Sequence, residues 1–474
     1  MTVILVYHSK QNLFILVYHS KHMETKERLK RVLIEWRERG LPKVKKRDIN
    51  IDIFLESDHI VDIVGVRRSG KTYLMFLMIK ELFKRGYNKR NVIYVNFEDR
   101  RLYPLTANML DALLDEIYVS LSEENKVFLF LDEIQNVPGW EKWARNIYDY
   151  YKGRVKLFVS GSTSKILAPE ASTLLTGRHL SIKLLPLSFR EFLYFKGLKV
   201  SLEEARYSDF KRAKVVEYFN EYLQYGGLPE VVLAGSSELK MEILKAYYED
   251  ILYKDIVDRY GIREIHVLEN FLKYLFLNIA RYFSYKRVAK YFSSIGISTS
   301  TRTLLRYTSI LEEIFLFFFV PIYSKKVRNQ LKYPRKIYAV DTGLRNVIAA
   351  SLEDKGKILE NIVFLELKRR SLRNPALTIN YWKDRRGREV DFIVREFDSV
   401  KELIQVTWSL TYENKERELK ALIKCMDEFK VDKGTIITSD LKEKIVVGNK
   451  VVECVPAYEW LLGNFRKTPM LTEP

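Results

Sequence analysis

The strongest constraint on how this chain folds is the segment Gly65–Thr72, whose sequence GVRRSGKT matches the pattern G-x-x-x-x-G-K-[ST]. An apolar run, HIVDIVGV, leads into this segment, and a helix-forming stretch, TYLMFLMIKELFKRG, follows it. Such a strand–loop–helix unit points successive backbone N–H groups at one spot beside a helix amino terminus, where phosphate oxygens are bound. The sequence therefore predicts a phosphate-binding loop formed by Gly65, Val66, Arg67, Arg68, Ser69, Gly70, Lys71 and Thr72.

An apolar strand that ends in two acidic residues supplies the second half of the predicted site. The run FLFLDE ends in Asp132 and Glu133, and the carboxyl ends of parallel strands meet at the sheet edge that also carries the loop. We expect Lys71 to contact the β- and γ-phosphates of ATP, and Thr72 and Asp132 to hold Mg²⁺. Glu133 is the candidate base that orients and deprotonates the attacking water, so the predicted activity is ATP hydrolysis.

Three further residues are candidates for roles around the γ-phosphate. Ser160 and Ser162 follow the apolar run VKLFV and could sense that phosphate, or could belong to an ordinary serine-rich loop. Arg178, in the segment LTGRHL, could neutralise transition-state charge, either within one chain or from a neighbouring subunit. The alternative is a surface arginine.

Four apolar runs separated by helical stretches indicate an α/β fold with a parallel sheet between Ile51 and about Lys183. Three of the runs are nearly continuous, as in strands that are buried on both faces. Beyond Pro186 the pattern becomes helical. A last α/β segment extends from about Gly343 to Gly463.

In this order, the segments GVRRSGKT, FLFLDEIQNVPGWE, SGSTSKIL, LTGRHL, PLSFREFL and YGGLPEVV resemble the archaeal and bacterial AAA-type (STAND-like) P-loop ATPases of unassigned cellular role. The resemblance extends over nearly all of the chain from Met23 onward. It implies an amino-terminal ATPase coupled to a winged helix and a carboxyl-terminal restriction-endonuclease-like domain. It also implies that Gly226–Pro229 belongs to a lid over the adenine, whereas the residues alone indicate a tight turn between helices.

The segment from Phe283 onward has the helix–turn–helix–hairpin order of a winged helix, and the resemblance supports this interpretation. Six basic residues and no acidic one lie between Lys325 and Lys336. Such a patch suits contacts to DNA phosphates, while a winged helix used only for packing is the alternative. The candidate DNA-binding residues are Arg302, Arg306, Lys325, Lys326 and Arg328.

The last α/β segment resembles the framework of a PD-(D/E)xK nuclease, in which a helix glutamate and strand carboxylates bind a metal ion. Glu360 and Glu366 lie on the helical stretch LENIVFLELKRR, and Asp391 lies on the strand EVDFIV. Gln405 and Thr407 alternate along the next strand, so both could face Asp391. The nuclease pattern has Glu and Lys at those two positions. We therefore expect a degenerate site, formed by Glu366, Asp391, Gln405 and Thr407, that does not cut DNA. The alternative is that Lys383 or Lys401, from another strand, takes the place of the missing lysine.

The first residues carry a duplicated segment, ILVYHSK, at 4–10 and again at 15–21. The segment lacks a small-residue cleavage site and is interrupted by polar residues, which does not fit a signal peptide. An amphipathic helix, METKERLKRVLIEWRERG, then begins at Met23. We expect Met23 to be the authentic start and residues 1–22 to be an upstream or non-native extension.

Composition limits the setting in which the chain works. The most apolar run, Ile314–Ile322, is far shorter than the ~20 residues of a spanning helix, so no membrane segment is expected. The two cysteines, Cys425 and Cys454, provide neither a disulfide framework nor a zinc cluster, which fits a reducing cytoplasm. The net charge of +19 favours an anionic partner beyond ATP, nucleic acid first, the alternative being lysine-rich solubility.

Together these features predict an α/β chain of five parts. They are the extension at 1–22, a P-loop ATPase core with a parallel sheet at 23–185, a helical lid at 186–281, a winged helix-turn-helix at 282–341 and an α/β nuclease-like domain at 342–474. The predicted function is Mg²⁺-dependent ATP hydrolysis that drives a conformational switch linked to DNA or a protein partner, with a nucleotide-dependent oligomer as a further expected state. Two alternatives stay open: an ATP-regulated DNA nuclease, and a nucleotide-gated DNA-binding scaffold with negligible turnover.

Overall fold

The computed structural model describes residues 10–123, 126–161, 175–349 and 354–463, and the side chains of 10–23, 123 and 331 fall outside this description. The chain divides into two compact units. The first comprises the chain up to Leu184 without Val66–Ser69, and the second comprises Val66–Ser69 and the chain from Leu185 onward. Two units cannot define all five predicted parts, so the boundaries of those parts stay a prediction.

A five-stranded parallel sheet forms the centre of the first unit, in the order β2-β3-β4-β1-β5. Its strands are β1 (Ile60–Val64), β2 (Val92–Asn96), β3 (Val127–Asp132), β4 (Val155–Ser160) and β5 (His179–Lys183). The first four coincide with the four apolar runs of the sequence. Strands β1, β3 and β4 are buried along their whole length, as strands packed on both faces must be. The predicted α/β fold with a parallel P-loop sheet is confirmed.

Helices in the first unit pack their apolar stripes against this sheet. Those described are Lys10–Glu38, Asp52–Glu56, Lys71–Lys84, Asn108–Glu123 and Trp140–Tyr151, with 3-10 turns at Arg100–Leu102 and Ile134–Asn136. The helix after the loop buries Leu74, Met78 and Leu82 at helical spacing in one core with the strands. The first helix begins at Lys10 and passes through Met23 without interruption, so it starts earlier than the sequence predicts.

The second unit starts with a helical region, as the sequence predicts. Its helices are Phe189–Phe195, Leu202–Tyr207, Asp209–Tyr225, Pro229–Leu233, Ser237–Asp250 and Ile265–Leu277, with a π-helical segment at Ile251–Asp258. Ser188 and Ser201 begin the first two helices through capping boxes, in which the serine and a glutamate three residues later exchange hydrogen bonds. These local signals explain why both helices begin where they do.

Two helices and a small antiparallel sheet follow. The strands are β6 (Tyr282–Phe283), β7 (Phe317–Val320) and β8 (Arg335–Ala339), in the order β6-β8-β7. The helices Tyr285–Ser294 and Thr301–Glu313 precede β7, and a short helix, Val327–Lys332, lies between β7 and β8. The two longer helices and the antiparallel pairing of β7 with β8 agree with the sequence prediction. The short helix was not predicted, because one and a half turns are too few for periodicity to show.

A six-stranded mixed sheet forms the last part of the second unit, in the order β13-β14-β12-β11-β10-β9. Its strands are β9 (Leu377–Lys383), β10 (Glu389–Glu396), β11 (Ser399–Val406), β12 (Lys433–Thr438), β13 (Glu443–Val447) and β14 (Lys450–Pro456). The accompanying helices are Thr342–Ala349, Lys355–Arg373, Tyr412–Phe429 and Ala457–Gly463. Both cysteines, Cys425 and Cys454, are free and buried in the core of this sheet.

Within the described ranges, no helix combines the length and the apolar character that crossing a bilayer requires.

Candidate functional site

The segment Gly65–Thr72 leaves strand β1 and enters the helix Lys71–Lys84, the context that the sequence predicts. Arg68 and Gly70 have left-handed backbone angles, with φ of 67° and 97°. Lys71 Nζ donates a hydrogen bond of 3.2 Å to the carbonyl of Gly65, at the other end of the loop. A loop curled in this way at a helix amino terminus has the form that phosphate binding needs.

The tip of the loop, Val66–Ser69, belongs to the second unit, and both of its arginines have partners there. Arg67 forms a two-pronged ion pair, with Nε and Nη2 lying 2.8 and 3.0 Å from the carboxylate oxygens of Asp255. The guanidinium of Arg68 lies 5.1 Å from the ring centre of Tyr247. No spacing in the sequence indicates either pairing, since each joins residues that are far apart along the chain.

The acidic strand β3 ends at Asp132 and strand β4 ends at Ser160, at the sheet edge where β1 enters the loop. Because β4 lies between β1 and β3, Ser160 is placed between the loop strand and the acidic pair. Thr72 Oγ1 donates a hydrogen bond of 2.7 Å to Asp132 Oδ2, and Ser160 Oγ donates to Asp132 Oδ1. Three residues of the predicted site are therefore in direct contact.

Asp132 is a buried carboxylate whose surroundings are rich in hydroxyl groups. Tyr94 provides a third donor, 3.0 Å from Asp132 Oδ2. Burial raises the pKa of Asp132, the charge of Glu133 raises it further, and the three hydroxyl donors act in the opposite direction. A buried carboxylate of this kind gains from a cation at its side. Since the hydroxyl of Thr72 and the carboxylate are the hard oxygen ligands that Mg²⁺ prefers, the residues fit that ion.

Glu133, the candidate base, directly follows β3 and is held by both its backbone and its side chain. Its φ of 54° is left-handed, a conformation that is uncommon for glutamate and that recurs at active sites. Its N–H donates to Ser160 Oγ at 3.3 Å, and its carboxylate accepts a hydrogen bond from Gln135 Nε2. Ser160 thus contacts both acidic residues, whereas Ser162 lies outside the described residues.

Arg178 lies at the opposite edge of the same sheet. Its carbonyl accepts a hydrogen bond of 2.9 Å from Ile60 N, at the amino end of β1, whereas the loop follows the carboxyl end. At ~3.3 Å per residue, the length of β1 separates the two by roughly 16 Å. Arg178 Nε also pairs with Asp149 at 2.8 Å. This placement contradicts the within-chain alternative for Arg178, and a role from a neighbouring subunit stays a prediction.

Two residues of the site, Tyr94 and Gln135, were missed in the sequence. Tyr94 lies in the strand β2, where a hydroxyl among apolar neighbours is a weak signal. Gln135 lies in the 3-10 turn Ile134–Asn136, two residues after Glu133. Neither residue has a spacing rule of its own, because the contact of Tyr94 with Asp132 depends on β2 and β3 being neighbours.

The candidate DNA-binding residues occupy two surfaces of the second unit. Lys325, Lys326 and Arg328 are exposed around the start of the short helix before β8. Arg302 is also exposed, and Arg306 Nη2 donates to the carbonyl of Tyr260 at 2.9 Å. Lys336, at the end of the basic stretch, is buried and does not belong to this surface.

The predicted degenerate nuclease site is brought together only in part. Asp391 N donates to Gln405 Oε1 at 3.2 Å, and Gln405 Nε2 donates to Glu418 Oε2 at 2.6 Å. Thr407 lies one residue beyond β11, where its hydroxyl donates to the carbonyl of Ser409 at 3.0 Å. Gln405 therefore faces Asp391 as expected, while the hydroxyl of Thr407 is engaged elsewhere.

The helix glutamate beside Asp391 is Glu360 rather than Glu366. Glu360 and Asp391 both bind Lys336 Nζ, at 2.9 and 2.7 Å. Glu366 is buried further along the helix, 3.6 Å from Arg369. Six residues on a helix correspond to one and two-thirds turns, so the two glutamates project in different directions and only one can reach a given strand residue.

The Gly226–Gly227 pair packs against Asp341 within the second unit. Gly227 N donates to Asp341 Oδ2 at 2.7 Å. A Cβ atom on Gly226, whose φ is 73°, would lie 2.1 Å from Asp341 Oδ1, so a larger residue does not fit there. Burial raises the pKa of Asp341 to about 6. This geometry agrees with a tight turn after the helix Asp209–Tyr225, and a place over an adenine stays an implication of the resemblance.

A glycine-rich loop that ends in Lys-Thr, opposite an Asp-Glu pair at the edge of a parallel sheet, defines a P-loop nucleotide site. In agreement, residues 57–193 match the family model of an AAA domain. Two domains of unknown function, DUF8612 and DUF4143, match residues 216–355 and 355–460. The AAA match supports ATP binding and hydrolysis by the first part of the chain.

Relatives of this chain match it over most of its length. The uncharacterized protein MJ1544 of Methanocaldococcus jannaschii is 39% identical over 430 residues, which is 89% of this chain and 91% of that protein. An uncharacterized protein of Haemophilus influenzae is 30% identical over 411 residues, 86% of this chain and 96% of its own length. The chain therefore belongs to the same family as these proteins, and its amino-terminal part has the P-loop fold of AAA-type ATPases.

Similar solved structures include Cdc6p from Pyrobaculum aerophilum, with a TM-score of 0.28 and 14% identity, covering 69% of this chain and 97% of that one. The Aeropyrum pernix Orc1 protein in complex with DNA has a TM-score of 0.24 and 15% identity. The match covers 69% of this chain and 92% of that one. Likeness at this level carries no argument about this chain.

Proposed function

We propose that this chain is a Mg²⁺-dependent ATPase that uses hydrolysis to drive a conformational switch. The observation that carries the proposal is the 2.7 Å hydrogen bond between Thr72 and Asp132, at the sheet edge that also holds Glu133. A hydroxyl directly after the loop lysine and a buried carboxylate on the neighbouring acidic strand are the pair from which P-loop enzymes build a Mg²⁺ site.

Each residue of the site has a distinct task in this proposal. The loop N–H groups and Lys71 bind the phosphates of ATP, and Thr72 and Asp132 hold the metal ion. Bound Mg²⁺ neutralises charge on the phosphate oxygens. Glu133 accepts the proton of the attacking water, and Gln135 and Ser160 fix the position of Glu133 beforehand.

We further propose that the switch is linked to DNA through the small sheet and its helices. The elements Tyr285–Ser294, Thr301–Glu313, β7 and β8 follow one another in the order of a winged helix. Exposed cations line the surfaces of this region, and such cations bind phosphates without reading sequence. They are Lys286, Arg287, Lys290, Arg302, Lys325, Lys326 and Arg328.

Phosphate release from ATP by the purified full chain tests the proposal. We expect turnover with Mg²⁺, none with EDTA, and none in Lys71→Ala, which lacks the ammonium that contacts the phosphates. Lys80→Ala, a change on the helix Lys71–Lys84 away from the loop, is the matched control. Tight ATP binding without turnover, both with and without duplex DNA, would instead favour the nucleotide-gated scaffold.

A further inference from the structure

Lys336 is a buried lysine that has a carboxylate for each of its three N–H groups. Its Nζ atom lies 2.9 Å from Glu360 Oε1, 2.5 Å from Glu389 Oε1 and 2.7 Å from Asp391 Oδ1. Its side chain is 3% exposed. Since a lysine ammonium has three donors and no acceptor, the hydrogen-bonding capacity of this group is filled.

Hydrogen bonds from neighbouring groups hold the three carboxylates, so that all of them face Lys336 Nζ. Tyr338 OH donates to Glu360 Oε1 at 2.7 Å, and Tyr282 OH donates to Glu389. The second oxygen of Asp391 accepts a hydrogen bond of 2.9 Å from Val406 N. Glu360 comes from the helix Lys355–Arg373, and the other two carboxylates come from β10. We call this group of Glu360, Glu389 and Asp391 the carboxylate centre.

Lys336 supplies the positive charge that the carboxylate centre faces. Burial and then the charge of Asp391 raise the pKa of Glu360. Burial acts to lower the pKa of Lys336, but the carboxylates raise it well above its ordinary value, so the ammonium stays charged. Removing one partner of a buried ion pair leaves the other without a counter-charge, so a centre that loses Lys336 gains from another cation.

Oxygen atoms from three carboxylates around one point are also the ligands that a hard divalent cation prefers. In the described part of the chain, no group of three or more His, Cys, Asp or Glu side chains is arranged to hold a metal ion. The spacing at the carboxylate centre suits an ammonium group. Its oxygens surround an ammonium nitrogen at 2.5 to 2.9 Å, whereas Mg²⁺ requires oxygens at about 2.1 Å.

We propose that Lys336 is the built-in cation of this centre, and that its ammonium keeps Mg²⁺ and Mn²⁺ away from carboxylates that would otherwise bind them. The lysine comes from β8 of the small sheet, whereas the carboxylates belong to the helix and the strand of the six-stranded sheet. A cation supplied by the chain thus fixes the two sheets to each other and leaves the carboxylates without metal chemistry. The inference is independent of the ATPase proposal, because it concerns other residues and another ligand.

Binding of Mn²⁺ to the full chain without nucleotide tests this inference. It is measured by the decrease in the electron paramagnetic resonance signal of free Mn²⁺. We expect Lys336→Met to bind one more Mn²⁺ ion per chain than the wild type. The affinity of this new site should be at least ~10-fold higher than that of any Mn²⁺ site that both proteins share. Adding Asp391→Asn to Lys336→Met should remove the new site. Lys433→Met, the same change at an exposed lysine of β12, should bind Mn²⁺ as the wild type does.

Two outcomes would overturn the inference. One is a folded Lys336→Met whose Mn²⁺ binding equals that of the wild type, and the other is a wild-type Mn²⁺ site that Asp391→Asn abolishes. If Lys336→Met does not fold, Lys336→Met combined with Glu360→Gln removes the cation and one of the three carboxyl groups while keeping Glu389 and Asp391. Should both variants be unfolded, folding restored by Mn²⁺ supports the inference, and failure of Mn²⁺ to restore it counts against the inference.

Discussion

Thr72 Oγ1 donates a hydrogen bond of 2.7 Å to Asp132 Oδ2, although the two residues are 60 positions apart in the chain. The strand order brings them together, since β1 and β3 end at the same edge with β4 between them. Thr72 is the second residue of the helix Lys71–Lys84 and the last of the loop segment, so this bond joins the phosphate-binding loop to the acidic strand. It identifies the place where Mg²⁺ is expected to bind.

Thr72→Ala removes one oxygen ligand and the hydrogen bond to Asp132. We expect the Mg²⁺ concentration for half-maximal ATP turnover to rise by about 10- to 100-fold, because losses of that size follow the removal of groups that support a metal ion. Thr72→Ser keeps the hydroxyl and should behave nearly as the wild type. Mg²⁺ titrations of ATP turnover make the comparison, and equal Mg²⁺ dependence in the alanine and serine variants would argue against a metal ion at this place.

Glu133→Gln should separate nucleotide binding from chemistry. The amide cannot accept the proton of water, so we expect turnover to fall by at least ~100-fold, the lower end of the range for a general base. The affinity for ATP should change little, because Glu133 lies beyond the loop that binds the phosphates. Turnover and equilibrium ATP binding are both measured, with Glu141→Gln on the helix Trp140–Tyr151 as control. Undiminished turnover would show that Glu133 is not the base.

The part of the site that the sequence predicts is the part built from local pattern. The strands can be recognised from the sequence because whole runs such as VFLFLD are apolar and buried. The phosphate-binding loop can be recognised because its glycines, lysine and threonine have a fixed spacing. Asp132 and Glu133 follow from where one such run ends. These features depend only on neighbours in the chain.

Contacts across the fold could not be predicted in this way. Tyr94 reaches Asp132 only because β2 and β3 are neighbours in the sheet, and Arg178 is remote from the loop because a parallel β5 places it at the amino end of β1. The pairing of Lys336 with Asp391 likewise joins two strands of different sheets. Strand order is set by tertiary packing, and a single sequence carries no direct signal of it.

Asp341 gives the second unit a stability that depends on pH. Burial raises its pKa to about 6 in the folded chain, while an aspartate in an unfolded chain has a pKa of about 3.9. The ionised form is thus disfavoured in the fold, so the contribution of Asp341 to the free energy of unfolding falls as pH rises between these values. A difference of this size corresponds to a loss of about 3 kcal/mol.

Urea unfolding of the wild type and of Asp341→Asn at pH 4, 5, 6 and 7 measures this contribution, because the asparagine does not titrate. We expect the stability of the wild type relative to the variant to decrease from pH 4 to pH 7. Asp398→Asn, at an exposed position, controls for the loss of a surface charge. Parallel pH profiles for the wild type and Asp341→Asn would contradict the prediction.

Binding of duplex DNA should depend strongly on salt, because exposed cations that contact phosphates release counterions. Replacing Lys325, Lys326 and Arg328 with alanine should make the slope of log affinity against log salt less negative by about 2 to 3, since each phosphate contact contributes about 0.9. Arg385, Lys433 and Lys444 are exposed in the region of the six-stranded sheet, and alanine at these three positions removes equal charge as a control. If the wild type does not bind DNA even at low salt, this region serves packing alone.

The direction of the strands determines which phosphate site Arg178 can reach. This arginine lies at the amino end of β1 and the loop lies at the carboxyl end, so Arg178 can reach a phosphate only in a different copy of the chain. Under conditions where light scattering shows a monomer, Arg178→Ala should leave ATP turnover unchanged within a factor of about 2, as removing a surface charge usually does. Where ATP causes the chain to assemble, the same change should lower turnover by about 10³-fold if the arginine acts between subunits. Arg154→Ala, near the same sheet edge, is the matched control in both conditions. A loss of turnover in the monomer would show that the strand direction does not keep Arg178 away from its own phosphate site.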